Sequence, residues 1–431
     1  MTSHAGMLRR AGRAAIAFAC VAMAGCGAAA GVGSTAHAGD APTSSDATTP
    51  LPPAGSGACA PVVLNTLGRV AVRVYREGVA SERTGSALHL ATTSASLREA
   101  VEHDDPAATR AVARTLIATG HLTSLRVLRG ARILTDVGSP DALAPLHGTI
   151  LDIRGAPVGS FVASVWADAG FLAELDGVTE GAASLRTRDA TVAGTSPLPS
   201  GTLPTSGMLT QHGVDYRYTS FPVAAYPAAR PLRVYLLRSI SSISALCARA
   251  PEDTLVNTLS RIATLIYAGE TGRRTLPQVR RVQRDSALLL AVAHRDPVTT
   301  RAAAARLLQQ HIVRLRIRTP TRLLADVGGP LVLAPVRAPL RRAGRTIGSF
   351  VLSIQDDEGY RRLVHRLAGL EVLMHAGSRL VKSSLGSSAP PAPAKGFYRY
   401  RGRVFRVFTL EASAFPSGPL RISVLIPIPY R

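Results

Sequence analysis

The chain is expected to fold as α+β: two tandem repeats, each a leading helical segment followed by a mostly antiparallel sheet. Three observations carry this. Residues 125–145 (LRVLRGARILTDVGSPDALAP) return as residues 315–335 (LRIRTPTRLLADVGGPLVLAP), matching without a gap at 11 of 21 positions, where average composition allows roughly one or two. Around this pair the correspondence extends in both directions at an offset that drifts from 192 to 188 residues. That is a duplicated domain, since solenoid repeats recur every ~20–50 residues. Within each copy the helical patterns come first and the strand patterns follow, which favours segregated helices on an antiparallel sheet over a doubly wound fold.

At 431 residues the chain suits two such units with terminal extras. Hydrophobic residues make up 46%, enough for packed cores and too much for a disordered chain. Lysine and arginine number 50 against 28 acids, a formal charge of +22, and only Lys382 and Lys395 are lysines. An arginine-rich surface attracts anions because the guanidinium forks onto a carboxylate or phosphate through two bonds. The same skew fits a GC-rich genome. One tryptophan and 5% aromatic residues leave few platforms for stacking bases, so nucleic acid is not an expected partner.

Taken in order, residues 1–26 read as a secretory leader. Arg9, Arg10 and Arg13 precede the uncharged run AAIAFACVAMA at 14–24, a basic n-region and an apolar h-region. Met23-Ala24-Gly25-Cys26 resembles the bacterial lipobox, which implies lipidation of Cys26. Residues 27–58, dominated by Ala, Gly, Ser, Thr and Pro, read as a flexible tether. Repeat one is placed at 59–250 and repeat two at 251–431. Each opens on a helix: Val63, Leu67, Val70 and Val74 fall at helical spacing, as do Val256, Leu259, Ile262 and Ile266. A second helix is expected over 96–103 and again over 286–294. A third starts at Asp105-Pro106 and Asp296-Pro297, with Asp as the cap and Pro in the first turn.

The repeated block follows as two short strands about a turn, an Asp-Val-Gly corner at Asp136 and Asp326, and the start of a third strand. Asp beside Gly reads as the residue that fixes the reversal, with a bond to a ligand amine as the other reading. Next comes a strand pair in which Val158-Gly159-Ser160-Phe161-Val162 answers Ile347-Gly348-Ser349-Phe350-Val351. Asp168 and Asp357 read as caps of a short helix. In repeat two Asp357 belongs to the acidic run Gln355-Asp356-Asp357-Glu358, where a metal site is the rival reading. Pro- and Ser-rich connectors at 195–206 and 383–393 lead to the last strands, VDYRYTSF with PLRVYLLR and RVFRVFTL with PLRISVLIP.

A long leading helix, an exported location and a meandering sheet with an Asp-x-Gly corner resemble the Cache domains, the extracytoplasmic PAS-like sensor modules of bacterial receptors. The resemblance covers about 62–246 and 254–429 and implies tandem modules, each with its own leading helix. Members of that family bind small organic acids or amino acids on one face of the sheet and signal through a membrane helix. Here no spanning segment or output domain is expected before Arg431, so a signal would pass to a membrane-bound partner. The lipid on Cys26 would hold the protein at the outer face of the cytoplasmic membrane. Cys20 lies in the h-region, which leaves Cys59 and Cys247 as an exported pair free to oxidise. Both ends of a Cache-like module emerge on one side, which implies a disulfide between these two that closes repeat one.

No G-x-S-x-G elbow, H-E-x-x-H, P-loop or dinucleotide fingerprint occurs, so neither enzymatic activity nor a cofactor is expected. The candidate ligand residues are arginines. Over 313–318, Val313, Leu315 and Ile317 alternate with Arg314, Arg316 and Arg318, so the arginines share one strand face. Arg126 is the counterpart of Arg316, and Arg132 is that of Arg322 on the next strand. Arg126, Arg132, Arg314, Arg316 and Arg322 form the candidate set, able to hold a carboxylate through bidentate charge-assisted bonds. The rival reading is the solvated face of a one-sided sheet. The chain is therefore expected to be a lipid-anchored ligand-binding or sensor-type protein that recognises a small anionic solute or a partner protein. The alternative is a structural or adhesive surface protein that grips anionic cell-wall polymer.

Overall fold

Apolar side chains three and four apart on an otherwise polar segment make a stripe that must be buried. On such a stripe forms α1 (Ser56–Ala80), with Val63, Leu67, Val70 and Val74 all in the core. The computed structural model describes residues 56–430 except 120, 197, 273, 309–311 and 417; the leader, the Cys26 lipobox and the tether up to residue 55 lie outside the described residues. Three shorter helices follow: α2 (Glu82–Thr93), α3 (Ala95–Glu102) and α4 (Pro106–Thr119). Asp105 caps α4, its carboxylate accepting from the N–H groups of Ala107 (2.8 Å) and Ala108 (3.0 Å). The helix α2 has no counterpart among the three expected, because it buries only Thr84, Ala87 and Ala91, too small to mark an apolar stripe.

The repeated block runs as β1 (Ser124–Arg129), β2 (Arg132–Gly138) and β3 (Ala142–Leu143). Its corner needs glycine. Gly138 has φ +107°, and a Cβ there would sit 2.2 Å from the Thr123 carbonyl oxygen; Gly328 repeats this at φ +119° against Val313. A hairpin of β4 (Leu146–Leu151) and β5 (Pro157–Ser164) comes next, then β6 (Trp166–Ala167) and α5 (Asp168–Thr179). Repeat one ends with β7 (Ala182–Arg186), β8 (Thr191–Gly194), β9 (Ser206–Gln211), β10 (Val214–Ala225), β11 (Arg230–Ser239) and the short α6 (Ile240–Ser244).

Repeat two has the same order: α7 (Pro251–Thr271), α8 (Leu276–Arg284), α9 (Ser286–Ala293), α10 (Pro297–Leu308), β12 (Arg314–Arg318), β13 (Leu323–Gly328), β14 (Val332–Leu333), β15 (Val336–Arg342), β16 (Arg345–Ser353), β17 (Gln355–Asp356) and α11 (Asp357–Ala368). Then come β18 (Glu371–Ala376), β19 (Arg379–Ser383), β20 (Lys395–Tyr400), β21 (Arg403–Phe415) and β22 (Gly418–Ile428). Asp296 caps α10 as Asp105 caps α4. The caps expected at Asp168 and Asp357 stand one residue earlier. Ala167 precedes α5 without a side-chain bond, and Asp356 caps α11 by accepting from the Gly359 N–H at 2.5 Å. Two residues separate the Asp356 carboxylate from that N–H, the usual reach of a cap, whereas Asp357 is already inside the helix.

The strands of each repeat, expected as one sheet, divide between two. In repeat one β2-β1-β5-β4 forms a small sheet, and β6-β3-β10-β11-β7-β8 forms a large one, with β9 added on β10. Repeat two copies both: β13-β12-β16-β15, then β17-β14-β21-β22-β18-β19 with β20 on β21. The paired partners in both are antiparallel. The chain changes sheets after the glycine corner, and a serine pins the crossing. Ser164 and Ser353, the last residues of β5 and β16, donate to the Leu143 and Leu333 carbonyls on β3 and β14.

One face of each small sheet packs on three short helices, around Leu97, Leu125 and Phe161 in repeat one and around Leu288, Leu315 and Phe350 in repeat two. The large sheets pack on the long helices, and one continuous core joins them. It runs from Val234 and Leu236 through Leu67, Phe171, Leu259 and Tyr360 to Val372 and Val424. Tyr75 and Tyr267 hold each long helix to its own sheet by accepting from the N–H groups of Ala224 (3.3 Å) and Ser413 (3.0 Å). Cys59 in α1 and Cys247 just past α6 form a disulfide, Cα to Cα 5.7 Å. Among the described residues no helix is long and apolar enough to cross a membrane.

Candidate functional site

The face of each small sheet that is turned away from its helices carries the arginines. In an antiparallel sheet, directly opposed residues point the same way, so a run of register partners makes a row on one face. In repeat two the row Asp326, Arg316, Val351, Arg337 crosses β13, β12, β16 and β15. With strands ~4.8 Å apart, the backbones of Arg316 and Arg337 stand ~10 Å from each other, with Val351 between. Arg318, two residues along β12, adds a third guanidinium to that face.

Asp326 orders one side of the row. Its carboxylate accepts from Arg314 (3.0 and 2.9 Å) and from Arg316 (3.0 and 2.6 Å). Burial works to raise this carboxyl, and the bonds from the two arginines overcome it, holding the group below its ordinary value. Arg314 also donates to the Gly329 carbonyl at 2.6 Å. Both guanidiniums lie over the ring of Phe415, at 4.9 Å for Arg314 and 4.5 Å for Arg316. Phe415 ends β21, so the large sheet supplies a wall to the small one. The result is a concavity of about 350 Å³ lined by Arg316, Arg318, Pro335, Arg337, Val351 and Phe415. Arg318 and Arg337 are exposed there, and neither makes an ion pair among the described residues.

The same place in repeat one is different. Its row reads Asp136, Arg126, Val162, His147, and Leu128 stands where repeat two has Arg318. Arg126 forks onto Asp136 at 2.9 and 2.5 Å, and the hydroxyl of Tyr226, the counterpart of Phe415, donates to the same carboxylate at 3.0 Å. Burial, then Asp136, raises the Tyr226 hydroxyl pKa, so it remains a proton donor. Ala142, Val162 and Tyr226 close into a small apolar cluster with Leu128 against it. Repeat one thus fills with its own side chains the space that repeat two leaves open.

The five candidate arginines separate accordingly. Arg314 and Arg316 stand on the open site, and Arg126 on its filled counterpart. Arg132 pairs with Asp104 at the turn before α4. Arg322 is exposed in the turn ahead of β13, its backbone N–H held by the Thr319 hydroxyl at 3.1 Å. Asp136 and Asp326 are strand residues that hold arginines and do not fix the turn, whose reversal falls to Gly138 and Gly328. Arg337 and Phe415 were absent from the candidate set. Arg337 enters through strand register and Phe415 through contact between sheets, neither of which a linear pattern displays. The acidic run in repeat two is spoken for. Asp356 caps α11, and Glu358 pairs with Arg361 and with Lys382 at 2.8 Å. Among the described residues no group of three metal-ligating side chains occurs.

No family model and no curated protein matches the sequence. Among solved structures the chain is similar to an extracellular ligand binding receptor from Desulfohalobium retbaense, with 10% identity and a TM-score of 0.26 over 51% of this chain. It spans about half of that receptor, 47% of its length. It is also similar to the ligand-binding domain of the Pseudomonas fluorescens chemoreceptor CtaA in complex with L-alanine, with 12% identity and a TM-score of 0.24 over 40% of this chain and 97% of that domain. Both likenesses are loose, and neither assigns a ligand to this chain.

Proposed function

We propose that the chain is an extracytoplasmic, lipid-anchored ligand-binding protein of sensor type, without enzymatic activity, whose second repeat takes a small anion between Arg316, Arg318 and Arg337. One observation carries the reading. Where repeat one has Leu128, His147 and a tyrosine bonded to Asp136, repeat two has Arg318, Arg337 and Phe415 around an open concavity. An aromatic ring from the neighbouring sheet walls both copies, so the two added guanidiniums and the open space are what set repeat two apart. Arg316 is already oriented by Asp326, so little side-chain freedom remains to be lost when an anion arrives. A carboxylate there would accept charge-assisted bonds worth about 1.5–3 kcal/mol each, with the apolar body of the ligand on Val351 and Phe415. The leader residues and Cys26 support export and anchoring.

The test starts with a thermal-shift screen of organic acids and amino acids on the full chain, since binding to the native state alone raises the melting point. Titration calorimetry with the best anion then compares wild type with Arg318→Ala and Arg337→Ala. Each should weaken binding about ten- to hundredfold, while Arg132→Ala and Arg322→Ala should leave it unchanged. Equal affinity across all four variants would return this face to the solvent.

A further inference from the structure

The two copies of the small-sheet unit differ most in charge. Residues 81–164 hold eight arginines and eight acids, whereas the matching residues 273–353 hold 16 arginines and three acids. The formal charge is thus zero in one copy and +13 in the other, a contrast that enrichment of the whole chain in arginine does not produce. All three acids of the second copy are engaged within the fold. Asp285 caps α9 by accepting from the Leu288 N–H at 2.7 Å, Asp296 caps α10, and Asp326 holds Arg314 and Arg316.

The remaining charge gathers at one end of the sheet. A Cβ on Gly348 would fall 2.7 Å from the Arg318 carbonyl oxygen and 3.2 Å from a Val292 methyl, so β16, the end of β12 and the end of α9 meet there. Three chain reversals open from that point: the β15–β16 turn with Arg341, Arg342 and Arg345, the β12–β13 turn with Arg322, and the α9–α10 turn with Arg295. All five arginines are exposed, and none makes an ion pair among the described residues. The same end of repeat one carries acids. Asp104, the counterpart of Arg295, pairs with Arg129 and Arg132. Asp152 organises the β4–β5 turn by accepting from the Arg154 and Ala156 N–H groups at 2.7 and 2.8 Å.

Aliphatic groups stand bare among the five charges. Val298, in the first turn of α10, is 78% exposed, and Leu323, beside Arg322, is 53% exposed. Repeat one also bares Ile133 and Ile153 at this end, but Asp104 and Asp152 share it, and an anionic surface would repel those carboxylates. A soluble polyanion is held along a groove that tracks its backbone, with aromatic platforms where it carries bases. Here the charges sit on the tips of turns, a blunt end with valine and leucine between them. That combination matches a bilayer with anionic headgroups: guanidiniums fork onto lipid phosphates while aliphatic side chains enter the boundary between headgroups and acyl chains.

We propose that this end of repeat two is a docking surface for an anionic lipid bilayer, separate from the small-anion site on β12 and not dependent on an anchor at Cys26. A chain beginning at residue 27 keeps every described residue and leaves out the leader and Cys26. It should bind vesicles of phosphatidylglycerol with phosphatidylcholine, more weakly as salt is added, and not vesicles of phosphatidylcholine alone. Each arginine near an anionic surface contributes a factor of about five in affinity. Arg341→Ala/Arg342→Ala/Arg345→Ala should therefore bind at least about tenfold more weakly, and Arg295→Ala/Arg322→Ala should lose about five- to twentyfold. These side chains are exposed, so a melting scan should find both variants folded. Arg110→Ala/Arg114→Ala/Arg154→Ala removes three exposed charges from the matching unit of repeat one and should bind within about twofold of wild type, as should Arg316→Ala. Val298→Ala/Leu323→Ala should lose about threefold or more, because apolar area no longer enters the bilayer. Equal losses in the two triple variants would reduce the effect to net charge and overturn the proposal. Unchanged binding by Val298→Ala/Leu323→Ala would make the occupant a soluble polyanion, and equal binding to both kinds of vesicle would remove the anionic lipid; either result overturns it as well.

Discussion

Equivalent residues on the two small sheets spend their charge differently. Asp326 serves two arginines where Asp136 serves one arginine and a tyrosine hydroxyl, and only the first arrangement leaves guanidinium charge unspent. Asp326→Asn should therefore cost more than Asp136→Asn, about 2 kcal/mol against about 1, because it leaves two half-buried guanidiniums facing each other. Urea melts of the two variants check the order. The pH dependence follows from the depressed carboxyl of Asp326. Its stabilisation is fully present above the ordinary aspartate range and is lost as the pH falls through the lower folded value. The acid limb of the stability curve should flatten in Asp326→Asn.

At the scale of elements, helix ends and helix contacts carry the testable content. Glu358 in the first turn of α11 is held at about 2 by hydrogen bonds from Arg361 and Lys382. Its contribution is complete above about 4.5 and disappears as the pH drops toward about 2. Glu358→Gln should thus lower the melting temperature at pH 6 and make no difference near pH 2. On α1, Gly78 lies beneath Trp166, the chain's one tryptophan, and a Cβ there would fall 2.0 Å from the indole nitrogen. Gly78→Ala should destabilise by about 1–3 kcal/mol through overpacking. The displaced indole should shift the intrinsic fluorescence, and unchanged emission would mean that the contact is slack.

For the whole molecule, the shared core makes the two repeats interdependent. Leu67 of α1 and Leu259 of α7 belong to one cluster with residues of both large sheets. Thermal unfolding should accordingly be a single transition, which calorimetry would show as one peak. The Cys59–Cys247 bridge spans 188 residues. Closing a loop of that length stabilises by on the order of 5 kcal/mol at most in the chain-entropy account. Reduction, or Cys59→Ser, should lower the melting temperature of that single peak. Two resolved peaks in the reduced protein would mean that the repeats are held together by the bridge more than by their core.

Much of this was readable along the chain. The duplicated block, the apolar stripes of α1 and α7, the caps at Asp105 and Asp296 and the alternation Leu315, Arg316, Ile317 all show in the linear order of residues. The stripes, caps and alternation depend on side chains a few positions apart, whose geometry any helix or strand reproduces. Local pattern also left Arg314 and Arg316 on one face. It could not show that the strands of a repeat split into two sheets, because the division turns on a glycine corner and on a serine that bonds across 20 residues or more. It set Arg316 apart from Arg126 only through Arg314 and Arg318, whose counterparts in repeat one are Ser124 and Leu128. The rest of their difference comes from Arg337, Phe415, His147 and Tyr226, brought alongside by register and by the meeting of two sheets. Strand order alone fixes which residues become neighbours across a sheet, and that order is a property of the folded chain.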